Sequence, residues 1–245
     1  MGNKFGDIFY KWLDEKGYNV FKDPHQLNYV QHLRSTPTET NLVSVNAEAG
    51  TGKTSLAVLC GVYGVENEEY DRIIYIRNTV ATRDVGFLPG GLDEKLAPLF
   101  APFIEALDGV QPGLFEAWTM EDPKKASTTS TSYLRGLTFD RAYVVIDEAQ
   151  NMTTHEIRTI LERCKDTCKV VIIGSSTQVD DRKIERIAGL LPFVVFQYHY
   201  QGEKAVVCEL VINYRGRLSA HASNISKTIS HLLTKGVPTH DNSIS

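Results

Sequence analysis

The 245-residue chain predicts an α/β fold, a parallel, doubly wound sheet with helices on both faces. Near-continuous apolar runs of strand length, at residues 42–45, 72–76, 142–146 and 169–173, alternate with stretches of helical apolar spacing. The first run leads directly into Asn46-Ala47-Glu48-Ala49-Gly50-Thr51-Gly52-Lys53-Thr54, a glycine-rich loop that opens a helical stretch over 55–62. The remaining runs are followed by polar residues, Arg77, Asp147-Glu148 and Gln178. Ligands of such sheets bind beyond the carboxyl ends of the strands, so these residues converge on one edge.

Composition agrees with a packed globular chain. Hydrophobic residues make up 42% and charged residues 23%, which excludes a disordered or collagenous chain, and no apolar run is long enough to span a bilayer. A soluble, cytoplasmic protein is expected, because the first residues lack a basic region followed by an apolar core, and the Ser/Thr of the myristoylation pattern is missing after Gly2. Cys60, Cys164, Cys168 and Cys208 are widely spread and read as reduced structural thiols before a zinc site or disulfide. A net charge of −4 gives no help to a nucleic-acid role, though a local basic groove stays open.

Taken in order, Phe5, Ile8, Phe9, Trp12 and Leu13 recur at helical spacing up to Gly17, and predict an amphipathic opening helix. A second helix starts at Pro24, with Leu27, Val30 and Leu33 on its apolar face. Gln26 in its first turn has an amide that both donates and accepts, as reading adenine requires, and a solvated helix-start glutamine is the plainer alternative. Residues 1–35 form this helical lead-in to a single domain over 1–236, followed by a polar tail at 237–245.

In the glycine-rich loop, Gly50 and Gly52 permit backbone angles that let N–H groups converge on phosphates at a helix N-terminus. Lys53 would reach the phosphates and Thr54 would hold Mg²⁺. Ala47 stands at the first glycine of the G-x-x-x-x-G-K-S/T pattern, and the acidic Glu48 beside it is expected to face solvent. Gly86-Phe87-Leu88-Pro89-Gly90-Gly91 reads as a loop before a helix over 92–107, and residues 112–132 as an irregular excursion.

Asp147 and Glu148 end a central strand, where one carboxylate can serve Mg²⁺ and the other can accept a proton from an attacking water. Thr153 and Glu156 make a capping box for the next helix, which leaves the acidic pair free. After the strand at 169–174, Gln178 could sense a γ phosphate or merely precede a helix over 181–190. Residues 193–198 and 205–211 alternate around Gln201-Gly202-Glu203 as a hairpin or a pair of late strands. Leu218, Ala222, Ile225, Ile229 and Leu232 predict a last amphipathic helix with a local basic bias from Arg215 onward. No N-K-x-D motif reads guanine, which favours adenine.

Ala49-Gly50-Thr51-Gly52-Lys53-Thr54, Gly86-Phe87-Leu88-Pro89-Gly90, Tyr133-Leu134-Arg135-Gly136, Asp147-Glu148-Ala149-Gln150-Asn151 and Thr177-Gln178, in that order, resemble the PhoH-like ATPases. The likeness runs from about Gln26 to Leu218. It implies a three-layer P-loop NTPase of the RecA-like type with a mostly parallel central sheet, related to superfamily 1 helicases. It also implies Mg²⁺-dependent ATP hydrolysis associated with RNA or single-stranded DNA, in a homo-oligomeric ring, a hexamer by family likeness, with no membrane role. Matched by position, Gln26 contacts adenine, the loop from Ala49 through Ser55 binds phosphate with Arg77 nearby, and Thr54 and Asp147 serve the metal. Lys53, Glu148 as base and Gln178 as sensor act in catalysis, with Arg215 as a transition-state finger that a neighbouring subunit could supply. Ser175 stands where related helicases carry aspartate, which implies a weaker link between sensor strand and metal site. A second reading from a different class, an ATP-gated protein-binding module, is kept open by the weak nucleic-acid signal.

Overall fold

The computed structural model describes residues 4–78, 92–134, 136–179, 184–222 and 225–235. Its centre is one six-stranded sheet of β1 (Leu42–Ala47), β2 (Arg72–Arg77), β3 (Ala126–Ser130), β4 (Ala142–Asp147), β5 (Lys169–Gly174) and β6 (Ala205–Leu210), in the order β3-β2-β4-β5-β1-β6. Every pairing is parallel.

Successive residues of a strand point to opposite faces, and here both faces are covered. Val43, Val45, Ile73, Tyr75, Tyr143, Val145, Val171 and Ile173 join one apolar cluster, whereas Leu42, Ile74, Ile76, Val144, Ile146, Val170 and Ile172 join another. The first cluster also takes residues of α1 (Lys4–Glu15), α2 (Pro24–Arg34), α3 (Lys53–Glu66), α4 (Leu92–Val110) and α5 (Leu114–Met120). The second takes Ile157 and Ile160 of α6 (Thr154–Leu161) and Phe193 of α7 (Pro192–His199). These are the expected three layers. The capping box is present, with Thr153 accepting from the Glu156 amide and Glu156 from the Thr153 amide.

Three expectations fail, two for a topological reason and one for a local backbone reason. The excursion at 112–132 contains α5 and β3, because a strand parallel to β2 needs a crossover back along the sheet. Ala-Ser-Thr-Thr-Ser is too polar to read as a strand, yet suits an edge position. The alternating residues 193–198 are helix α7, with Pro192 at its first turn, and only β6 is a strand. A hairpin would set two strands antiparallel, whereas β6 runs parallel to β1 and α7 lies on the crossover to it. The helix over 181–190 is absent across its described part. Ala188 at φ 51° and Gly189 at φ 82° make a tight turn joining Ile187 to Leu190, a conformation that a right-handed helix excludes.

The expected last helix comprises α8 (Arg217–Ala222) and α9 (Ile225–Lys235). The Gly86 loop, Arg135 and the tail at 237–245 lie outside the described residues.

Candidate functional site

The glycine-rich loop sits between β1 and α3, with Gly50 at φ 82° and Gly52 at φ 84°. Both angles are left-handed, the region where a side chain is strained. Lys53 begins α3, and its Nζ donates to the Glu48 carbonyl at 3.2 Å. The Thr51 hydroxyl donates to the same carbonyl at 3.0 Å. The loop is thereby wrapped on itself at the sheet's carboxyl edge.

The acidic pair ends β4, next to β2, with Asp147 opposite Arg77 in register. Asp147 is 2% exposed, and its carboxylate accepts from the Thr54 hydroxyl at 3.2 Å, the Glu148 amide at 2.9 Å and the Tyr75 hydroxyl. Glu148 holds φ 56°, a left-handed angle for a residue with a Cβ. Such strain persists only where surroundings enforce it, and it commonly marks functional positions. Gln150 supplies part of that enforcement: its Nε2 donates to Glu148 Oε2 and, at 3.0 Å, to the Gln178 carbonyl, while its Oε1 accepts from the Ser175 amide at 3.0 Å. One buried amide thus ties the acid loop to the end of β5. The link that Ser175 was expected to weaken runs through Gln150 instead.

Charge and burial oppose each other here. Burial lowers the Lys53 ammonium from its ordinary value, with Asp147 and Glu148 opposing and Arg215 adding to the fall. Burial raises the Glu148 carboxyl, and the neighbouring Asp147 raises it further, against Arg77, the Gln150 hydrogen bond and Lys53. A carboxylate that is raised and partly held is suited to accept a proton.

A cavity of about 920 Å³ joins these groups. Among the residues anticipated from sequence, Gln26, Ala49, Gly50, Gly52, Lys53, Thr54, Ser55, Asp147, Glu148, Gln178 and Arg215 line it. Thr51 is buried behind the loop, and Arg77 is not on the cavity wall. Arg77 instead lies 3.7 Å from the Glu148 carboxylate and donates to the Leu99 carbonyl at 2.8 Å. Its place is that of a holder for Glu148. Gln26 is buried, not solvated, and its Nε2 donates to the Thr51 carbonyl at 3.0 Å.

Glu48 does not line the cavity, and its part-exposed carboxylate accepts from the Thr177 hydroxyl. Beside it Asn46 and Ser176 exchange two hydrogen bonds, so the loop and the segment carrying Gln178 are joined side by side. Arg215 shares a cavity with Lys53 inside one chain, where sequence reasoning allowed a neighbouring subunit to supply it. Tyr75, Gln150 and Asn213 carried no sequence assignment. Only Gln150 had a signal, its position in the acid loop.

The donor set fits Mg²⁺. A threonine hydroxyl and a carboxylate are hard oxygen ligands in contact at the cavity edge, and Mg²⁺ takes one or two carboxylates together with waters and substrate phosphates. Among the described residues no group of three or more acidic, His or Cys side chains could hold a metal ion.

A family model described as PhoH-like protein matches residues 20–212. A PhoH-like protein of Bacillus subtilis (strain 168) is 38% identical over 167 residues, 67% of this chain and 51% of the relative. Protein PhoH2 of the same organism is 32% identical over 65% of this chain and 37% of its own length, and Protein PhoH of Escherichia coli (strain K12) is 33% identical over 63% and 43%. The chain spans half or less of most of these relatives. Among solved structures, the HK97 bacteriophage large terminase superposes with a TM-score of 0.55 over 86% of this chain and 48% of that one, at 12% identity. The large terminase of a thermophilic bacteriophage, in complex with ADP, gives 0.51 over 82% and 49%, also at 12% identity. At that identity the likeness speaks for the P-loop NTPase fold alone. With the family model matching most of its length, the chain belongs to the PhoH-like protein family.

Proposed function

We propose that this chain is an Mg²⁺-dependent ATPase that acts on RNA or single-stranded DNA as a homo-oligomer in the cytoplasm. The observation that carries the hydrolytic part is the meeting of Lys53 and Thr54 with Asp147 and Glu148 across one cavity. Lys53 and the loop amides bind the phosphates, and Gln26, on the same cavity wall, contacts the base. When bound, Mg²⁺ would neutralise phosphate charge beside Thr54 and Asp147. Glu148 orients the attacking water and takes its proton, held by Arg77 and Gln150. Gln178 and Arg215 line the same space and answer to charge on the terminal phosphate.

The nucleic-acid part rests on the family resemblance and on the basic bias after Arg215. The oligomer rests on the family resemblance. Arg215 in the chain's own cavity gives no separate reason for a neighbour. Among the described residues no helix is long and apolar enough to cross a membrane. One observation favours the ATP-gated protein module as a second reading: Ile225, Ile229 and Leu233 of α9 are exposed.

Phosphate release from ATP, measured with Mg²⁺ or with chelator and with or without single-stranded RNA or DNA, tests both readings. Mg²⁺-dependent release stimulated by a single strand is expected. Hydrolysis indifferent to both nucleic acids would move the assignment to the protein module, and no hydrolysis in any oligomeric state would overturn it.

A further inference from the structure

In a trans peptide the C=O and the following N–H point to opposite sides, so fixing a carbonyl outward fixes the next amide inward. The carbonyls of Glu48, Ala49, Gly50 and Thr51 each accept a hydrogen bond. The loop supplies only the first donors, from Thr51 and Lys53. The rest come from distant parts of the chain. Asn213 Nδ2 donates to the Ala49 carbonyl at 3.0 Å, the Tyr214 amide to the Gly50 carbonyl at 2.7 Å, and Gln26 Nε2 to the Thr51 carbonyl at 3.0 Å.

These donors are themselves joined. The Tyr214 hydroxyl donates to Asp23 Oδ2 at 3.0 Å, and Asp23 Oδ1 caps α2 by accepting from the His25 and Gln26 amides. Asn213 Oδ1 accepts from the Arg215 amide at 2.9 Å, so one carboxamide holds the loop with its nitrogen and the Arg215 backbone with its oxygen. The approach is close: a Cβ on Gly50 would lie 2.6 Å from Asn213 Oδ1. Gly50 is needed as much for this contact as for its angle.

We propose that Asn213 is a positioning residue for phosphate binding: by clamping the Ala49 carbonyl from outside, it presets the Gly50 amide toward the phosphates and sets Arg215 in the same cavity. Asn213 Nδ2 also donates to the Ser219 hydroxyl of α8 at 3.1 Å, so the clamp connects the loop to the C-terminal helices. A shift of α8 is thereby felt as a change in the direction of a loop amide. This inference rests on the phosphate reading of the loop proposed above.

The test is competition of ATP, inorganic tripolyphosphate and AMP against a fluorescent ATP analogue, with melting temperature recorded for each variant. Asn213→Ala is expected to weaken ATP and tripolyphosphate by the same factor, roughly three- to tenfold, the effect of one hydrogen bond on affinity. AMP binding and melting temperature stay near wild type. Asn213→Ser keeps a short acceptor for the Arg215 amide but falls short of Ala49, and is expected to show the same loss, so the test survives if the alanine variant folds poorly. Wild-type tripolyphosphate affinity in both Asn213 variants would overturn the clamp. Absence of ATP and tripolyphosphate binding in the unmodified protein would instead overturn the phosphate reading and the clamp with it.

Discussion

Replacing Glu148 with Gln separates chemistry from binding and stability, and the structure says by how much. The change keeps the shape of the side chain and an oxygen that can accept from Gln150. It removes an ion pair with Arg77 at 3.7 Å, in which both side chains are about a quarter exposed. A pair so placed contributes about 0.2–1 kcal/mol. Against that loss, the neutral amide no longer suffers from burial or from Asp147 beside it, the two causes that raise the carboxyl. The two effects are opposite in sign and similar in size, so stability should change by less than about 1 kcal/mol. The change removes one coulombic partner of Lys53 but leaves Thr54 and the hydrogen bonds of the loop in place, so ATP affinity should hold within about threefold, under 1 kcal/mol. Turnover loses its proton acceptor and should fall by roughly 10²–10⁴. The assay is steady-state phosphate release alongside equilibrium ATP binding and urea unfolding on the same preparation. A variant that retains a tenth or more of the wild-type rate would refute Glu148 as the base, and one that loses ATP binding in parallel would assign it to ground-state binding.

Two further outcomes follow from the packing. Gly61 lies where α3 crosses the sheet, and an added Cβ would meet Tyr143 at 2.6 Å and Ile73 at 2.7 Å, both fully buried. Alanine gains about 1 kcal/mol in helix propensity, but forced overpacking costs about 1–3 kcal/mol, so Gly61→Ala should lower the urea midpoint. A raised midpoint would show that α3 can lift from the sheet. Lys169 is fully buried at the start of β5, its Nζ donating to the His32 and Thr40 carbonyls and the Ser35 hydroxyl. Burial pushes its ammonium from 10.5 down to about 7, so between those values the unfolded chain binds more protons than the folded one. Stability should therefore climb with pH across that window, by at most about 1.4 kcal/mol per pH unit, and be insensitive to this group below it. Lys169→Met should flatten the climb measured by urea unfolding, and an unchanged slope would remove Lys169 as its source.

Strand-length apolar runs made β1, β2, β4 and β5 legible, because strands buried on both faces need continuous apolar sequence. The edges were harder to read. β3 carries hydroxyl side chains in place of an apolar run, and α7 is rich in the aromatic and β-branched residues that favour strands. Their states follow from the crossovers that parallel pairing demands, a property of the whole sheet.

The same division holds at the site. That Lys53, Thr54, Asp147 and Glu148 meet on one cavity could be read from sequence, because the proposed phosphate and metal chemistry calls for those residue types directly after strands, at fixed local spacing. Tyr75 on Asp147, Gln150 between acid loop and β5, Thr177 on Glu48 and Asn213 on Ala49 have no such spacing. Each joins segments separated in the chain or meets its partner through a buried bond, so only the folded arrangement selects it. Local backbone chemistry determined where the phosphate loop begins and ends. Which distant side chains hold that loop open, and that Arg215 shares a cavity with Lys53 in one chain, was decided by the order of strands β5, β1 and β6, which brings the segment after β6 alongside the loop after β1.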